Sequence, residues 1–286
     1  MPFEFRTADP DLTSALRRVA GAEMAAVLVR LEGGAPGPEG VHDVRKRIKK
    51  VRGLLRLVRG GMRAARAEIT VLRVAAQGLS SLRDAEVMLA CHDRLAPGVA
   101  GEVRAWLAGR VDVARADEGL PGRVEAARLA LAALALRVPG WRVKGRDGSV
   151  IGAGLERTMR RAAAAMVLAR DAQDEEAMHD WRKRAKDLWY QARLMTPVWP
   201  DGMAVWRDVA GDLGELLGDH HDLAVFLALV EGHGGAEVPG LRAQALRMSA
   251  DLKDRAFALG ARLHAAPPEV MAGLWLAWWK VWRAGR

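Results

Sequence analysis

Two short runs of this chain carry residue types that could do chemistry together. The first, V-H-D-V-R-K-R-I-K-K-V-R, opens residues 41–66, which hold ten lysines and arginines and a single acid, Asp43. The second, M-H-D-W-R-K-R-A-K-D-L-W-Y-Q-A-R, spans residues 178–193. At an offset of 137, the pairs His42/His179, Asp43/Asp180, Arg45/Arg182, Lys46/Lys183, Arg47/Arg184, Lys49/Lys186 and Arg56/Arg193 coincide. The apolar frame coincides as well, from Val41/Met178 and Val44/Trp181 to Val58/Met195. One such run could be chance, whereas two suggest an internal duplication.

A line of arginines and lysines suits a repeating anion. Arginine grips two oxygens with its planar fork, and lysine adds a point charge on a flexible stem. Helical steps of three and four residues place such donors ~5–6 Å apart. Each histidine opens its basic helix, where the helix dipole also favours anions. A carboxylate aimed at a phosphate would repel it, so Asp43, Asp180, Asp84 and Asp222 are read as holding neighbouring cations in place.

Both runs need a helix to present them. Val41, Val44, Ile48, Val51, Leu55, Val58 and Met62 recur at helical spacing and define one buried face. At about 100° per residue, His42, Arg45, Lys49, Arg52, Arg56, Arg59 and Arg63 fall in a stripe beside that face, the placement expected of a groove. Arg47, Lys50, Arg184 and Arg66 fall elsewhere and are read as a solvated face. Half of the 286 residues are hydrophobic, and no sustained β-branched alternation occurs, which predicts an all-α fold.

Glycine and proline place the breaks. Asp11 or Thr13 caps a first helix ending near residue 32, and the 33–38 loop stops it. The basic helix follows over 39–60, then a single long stretch over 64–95, and two more over 99–117 and 121–137. Residues 138–149 form the boundary, with an extended piece at 141–143. Helices over 150–170, 175–196, 202–232, 239–264 and 267–283 complete the chain. This reading gives two pseudo-symmetric bundles of about five helices each, residues 1–140 and 150–286, with the basic groove between or along them.

The sequence resembles the conserved histidine α-helical domain, or CHAD, family. The two H-x-x-R-K-type helices carry the resemblance. So does a second signature pair, Leu82-Arg83-Asp84 before Val87 and His221-Asp222 before Val225, at an offset of 138. The opening Phe3-Glu4-Phe5-Arg6 is also similar to the family's start, and the likeness covers the whole chain. It implies that the two halves form one CHAD domain that binds inorganic polyphosphate without catalysis, needing no cofactor and no metal. Carried onto this chain, the binding set is His42, Arg45, Lys46, Lys49, Arg52, Arg56, Arg83, His179, Arg182, Lys183, Lys186, Arg193 and His221.

Composition bounds the rest. The net charge of +9 favours acidic partners, and nucleic acid held by non-specific charge is the alternative partner. His-Asp doublets at residues 42, 179 and 221 also raise a metal-dependent phosphohydrolase of the HD type. Dense cations after the first two oppose a divalent metal there. Cys91 is the single cysteine, which fits a reducing compartment. There is no secretory signal pattern, and the apolar run at 273–279 is far short of the ~20 residues of a span. The expected location is cytoplasmic, with polyphosphate granules as one destination. Trp275, Trp278, Trp279 and Trp282 read as core or as a homodimer contact rather than a membrane face.

Overall fold

The computed structural model describes residues 3–34, 37–79 and 81–285, and leaves aside the side chains of Pro38, Ser81 and Leu82. Ala35 and Pro36 of the first loop and the side chain of Leu82 in the second signature thus lie outside the described residues. Eleven α-helices and no strand occur among them: α1 (Leu12–Leu31), α2 (Pro38–Val58), α3 (Ala65–Gln77), α4 (Ser81–Leu95), α5 (Glu102–Arg115), α6 (Leu120–Arg137), α7 (Asp147–Ala172), α8 (Glu175–Met195), α9 (Pro200–His233), α10 (Val238–Leu263) and α11 (Pro268–Ala284).

Local chemistry accounts for the ends. The Asp11 carboxylate accepts from the Ser14 amide at 2.7 Å and starts α1, and Asp174 accepts from Ala177 at 2.8 Å and starts α8. Proline in the first turn opens α2, α9, α10 and α11. The stretch expected as one helix over 64–95 is two. Gly78 ends α3, its amide bonding back to Val74, and Leu79 then turns into the core. The first part of the chain therefore holds six helices rather than five. Residues 141–143 are extended without joining a sheet: Val143 donates to Thr13 Oγ1 and Lys144 to the Gly61 carbonyl.

Buried side chains form two clusters. The larger joins α1, α2, α3, α6, α7, α8, α11, the start of α9 and the end of α10. The smaller joins α4 and α5 to the distal part of α9 and to α10. At 34 residues, α9 is roughly 50 Å long and belongs to both. Of the C-terminal tryptophans, Trp275 and Trp279 are core, and Trp278 and Trp282 are partly buried against it. Trp275 and Trp279 are buried against Trp206 and Phe5, and Trp278 packs edge-on to Trp199.

The two basic helices meet closely. Helices α2 and α8 are each 21 residues long, and His42 and His179 are each the fifth residue, at the start of the second turn. A β-carbon on Gly53 of α2 would stand 2.8 Å from Tyr190 Cβ of α8, so glycine is what lets the helices cross there.

Candidate functional site

The crossing of α2 and α8, roofed by α4, α5 and α9, encloses a cavity of about 1770 Å³. From α2 it receives His42, Arg45, Lys46, Lys49, Arg52 and Arg56; from α8, His179, Arg182, Lys183 and Lys186; Arg83 comes from α4 and His221 from α9. Arg193 does not reach the wall. Its guanidinium lies 5.0 Å from the centre of the Trp189 ring, and Trp189 lines the cavity in its place.

The cations crowd one another, and their titration records it. Lys49 is open to the cavity, yet desolvation by the protein around it, then Arg182, Arg45, Lys186 and Arg52, bring its ammonium down to about 8. Burial and the neighbouring Arg56 bring Arg52 down to about 10. His179 and His221 stack with ring centres 4.1 Å apart. Burial followed by His179 and Arg182 lowers His221 to about 4, and burial followed by Arg83 lowers His42. Arg45 Nη1, Arg52 Nε and Arg182 Nε are buried donors with no protein acceptor at hydrogen-bond distance.

Of the signature acids, Asp43 and Asp180 lie behind this wall. Asp43 accepts from Arg47 at 2.9 Å, and Asp180 lies 3.5 Å from Arg184, each four residues along its own helix. Asp84 is 3.9 Å from Arg45. Asp84 and Asp222 both line the cavity, and burial raises the Asp222 carboxyl. Across the helix crossing, Arg56 donates to Asp187, which also accepts from Arg184.

The solvated face expected at Arg47, Lys50 and Arg184 is not one. Lys50 is 9% exposed and donates to Glu23 at 2.6 Å; Glu23, itself 2% exposed, also accepts from Arg47. Arg184 is 8% exposed, against Asp187. Helix α1 covers one of these faces and α7 packs beside the other, and the buried carboxylates offset the cost of desolvating the cations. Arg66 is exposed, as expected.

The histidines of the doublets at 42, 179 and 221 share the cavity without gathering as a ligand set. His42 sits among Arg83, Lys46 and Lys49, His179 and His221 stack, and His220 is 3.6 Å from Glu175. Among the described residues, no group of three or more His, Cys, Asp or Glu side chains gathers as metal ligands.

Sequence reasoning missed a device on α9. Gly211, Gly214 and Gly218 face α8, and β-carbons there would stand 3.1 Å from Trp189 Nε1, 2.7 Å from Lys186 Cε and 3.4 Å from Arg182 Nε. The stripe gives α8 room to lay its cationic side chains across α9. Its spacing is legible in the sequence; its facing is not. Trp106 and Arg110 of α5, which also line the cavity, carried no signal at all.

The protein is thus an all-helical one, among its described residues, with a large cavity walled by cations. The family model described as CHAD domain matches residues 12–231, and the chain belongs to that family. Its fold is similar to that in "Crystal structure of the CHAD domain from the plant Ricinus communis", with a TM-score of 0.59 at 21% identity, covering 93% of this chain and 97% of that one. No curated protein matches the chain. No helix among the described residues is long and apolar enough to cross a membrane.

Proposed function

We propose that the cavity binds inorganic polyphosphate without catalysis, the chain running between the cations of α2 and α8. The observation that supports this most is the convergence of two sequence-distant cation stripes on one cavity, with Asp43 and Asp180 turned to cations outside it. Buried guanidinium donors without protein acceptors suit an anion that brings many oxygens. Membership of a family known in general for polyphosphate binding points the same way. The two halves, residues 1–140 and 150–286, are proposed as duplicated units that each supply one rail of the site. Cytoplasmic polyphosphate granules are the proposed location.

The test is a titration with long polyphosphate beside orthophosphate, ATP, duplex DNA and single-stranded RNA at matched salt. Polyphosphate is expected to bind far more tightly than ATP, with log affinity falling linearly in log salt. Equal affinity for ATP would overturn the reading, and tighter binding of nucleic acid would move it to that partner. Phosphate release with Mg²⁺, Mn²⁺ or Zn²⁺ that disappears in His179→Ala or His221→Ala would make the protein a hydrolase instead.

A further inference from the structure

A bare phosphate chain has no apolar surface, yet half of this cavity is not cationic. Opposite the α2–α8 wall, α4, α5 and α9 present Val87, Trp106, Val113, Val225 and Leu229 to the same space. Val113 is 74% exposed and Val225 42% exposed, so these two stand in water, while Val87, Trp106 and Leu229 are partly buried against the smaller core cluster. Scattered apolar residues on a convex surface need no explanation, but a group of them lining a concavity rimmed by charge marks a ligand surface.

The chemistry of this second wall selects among ligands. No Asn, Gln, Ser or Thr side chain lines the cavity among the described residues, and the polar side chains that α4, α5 and α9 bring to it are charged or ionisable: Arg83, Asp84, Arg110, His221 and Asp222 among them. Trp106, the aromatic residue of that wall, is already engaged: His233 stacks on it at 4.2 Å and 9°, and Arg110 Cζ lies 5.2 Å from its ring centre. A base would have to displace one of them. An aliphatic chain needs neither a free ring face nor a hydrogen bond, only valine, leucine and tryptophan surface.

We propose that the cavity also takes an amphiphile, an aliphatic diphosphate whose head is held by the α2 and α8 cations and whose chain lies along Val87, Trp106, Val113, Val225 and Leu229. This rests on the cationic wall being the phosphate-binding surface. The apolar wall adds selectivity for what the phosphates carry, because each stretch of chain removed from water strengthens binding without any further charge.

The experiment titrates the whole protein with farnesyl diphosphate below its aggregation threshold, with inorganic pyrophosphate as the head alone, and with ADP as a diphosphate bearing a base. Farnesyl diphosphate is expected to bind about tenfold or more tighter than pyrophosphate, and ADP not to share that advantage. In the Val113→Ser/Val225→Ser variant, whose changes sit on exposed positions, the advantage should shrink while long polyphosphate binds as before. Equal affinity for farnesyl diphosphate and pyrophosphate, an equal advantage for ADP, or an advantage untouched by the serines overturns the inference. If polyphosphate binds normally in that case, the amphiphile alone fails; if polyphosphate fails too, the proposed function falls with it.

Discussion

A β-carbon placed on Gly214 of α9 would stand 2.7 Å from Lys186 Cε of α8. The glycine is thus the seat of a lysine that lines the cavity, and helix packing and ligand wall are the same feature. Because the atoms met are the far end of a flexible side chain, Gly214→Ala can be accommodated by moving Lys186. We expect thermal stability to change little, polyphosphate affinity to fall severalfold, and Gly53→Ala to behave oppositely. There the β-carbon meets Tyr190 Cβ at 2.8 Å, which cannot swing away, so melting temperature should drop. Thermal melts and titrations on both variants check this pair.

The symmetry of the cation wall is testable by matched neutralisation. Arg45→Ala with Lys49→Ala, and Arg182→Ala with Lys186→Ala, should weaken polyphosphate binding comparably, by about 1.5–3 kcal/mol for each charge-assisted hydrogen bond to phosphate that is removed. Arg63→Ala with Arg66→Ala makes the same change in charge and should cost much less, because Arg63, though expected in the groove stripe, does not line the cavity, and both residues are exposed. Lys50 is unsuited to that control because it is buried on Glu23. Equal losses in all three would leave only a diffuse basic surface.

Lys49 ties binding to pH. Its ammonium titrates at about 8 in the free protein, against an ordinary 10.5, because desolvation by the cavity walls and four neighbouring cations disfavour the charge. A polyanion favours the charged form, so affinity should fall as pH rises from 7 through 9, and Lys49→Arg should flatten that fall. Stability moves the other way. Between about 8 and 10.5 the unfolded chain holds a proton on Lys49 that the folded protein has released, so this group makes folding more favourable as pH rises through that window. Paired titrations and denaturant melts at pH 7, 8 and 9 read both trends.

His221 acts at the acid end. Lowered to about 4 by burial, His179 and Arg182, it is neutral in the free protein where the unfolded chain would be protonated. Its contribution is complete above pH 6.5 and is lost as pH falls toward 4. His221→Gln should reduce the acid sensitivity of the melt within that window.

The Glu23–Lys50 pair should behave as a buried ion pair. Lys50→Ala leaves the Glu23 carboxylate buried with only Arg47 and is expected to cost about 3 kcal/mol, whereas Lys50→Met with Glu23→Leu should cost far less. Chemical denaturation of the single and double variants makes the comparison. A double variant as unstable as the single one would show that packing, rather than the stranded charge, sets the cost.

Much of this protein was written along the chain. The apolar period from Val41 to Met62 defined the α2 face that is buried, Asp11 could be read as a cap, and Trp275 and Trp279 at helical spacing did enter the core. The cations His42, Arg45, Lys49, Arg52 and Arg56 stood beside that face, and the structure brings them to one cavity. These features were legible because helical period and end chemistry act within a few residues.

The neighbours of each face were not legible. Helical period sets the angle of Lys50 and Arg184 around their own axes, but only the packing of α1 on α2 supplies Glu23 to Lys50. Asp187 reaches Arg56 from 131 residues away, and the glycines of α9 matter only because Lys186 and Trp189 lie across them. The apolar wall of α4, α5 and α9 depends on the same kind of assembly. Burial of a charge, room for a lysine and the second side of a cavity are all properties of pairs of surfaces, which only the tertiary fold brings together.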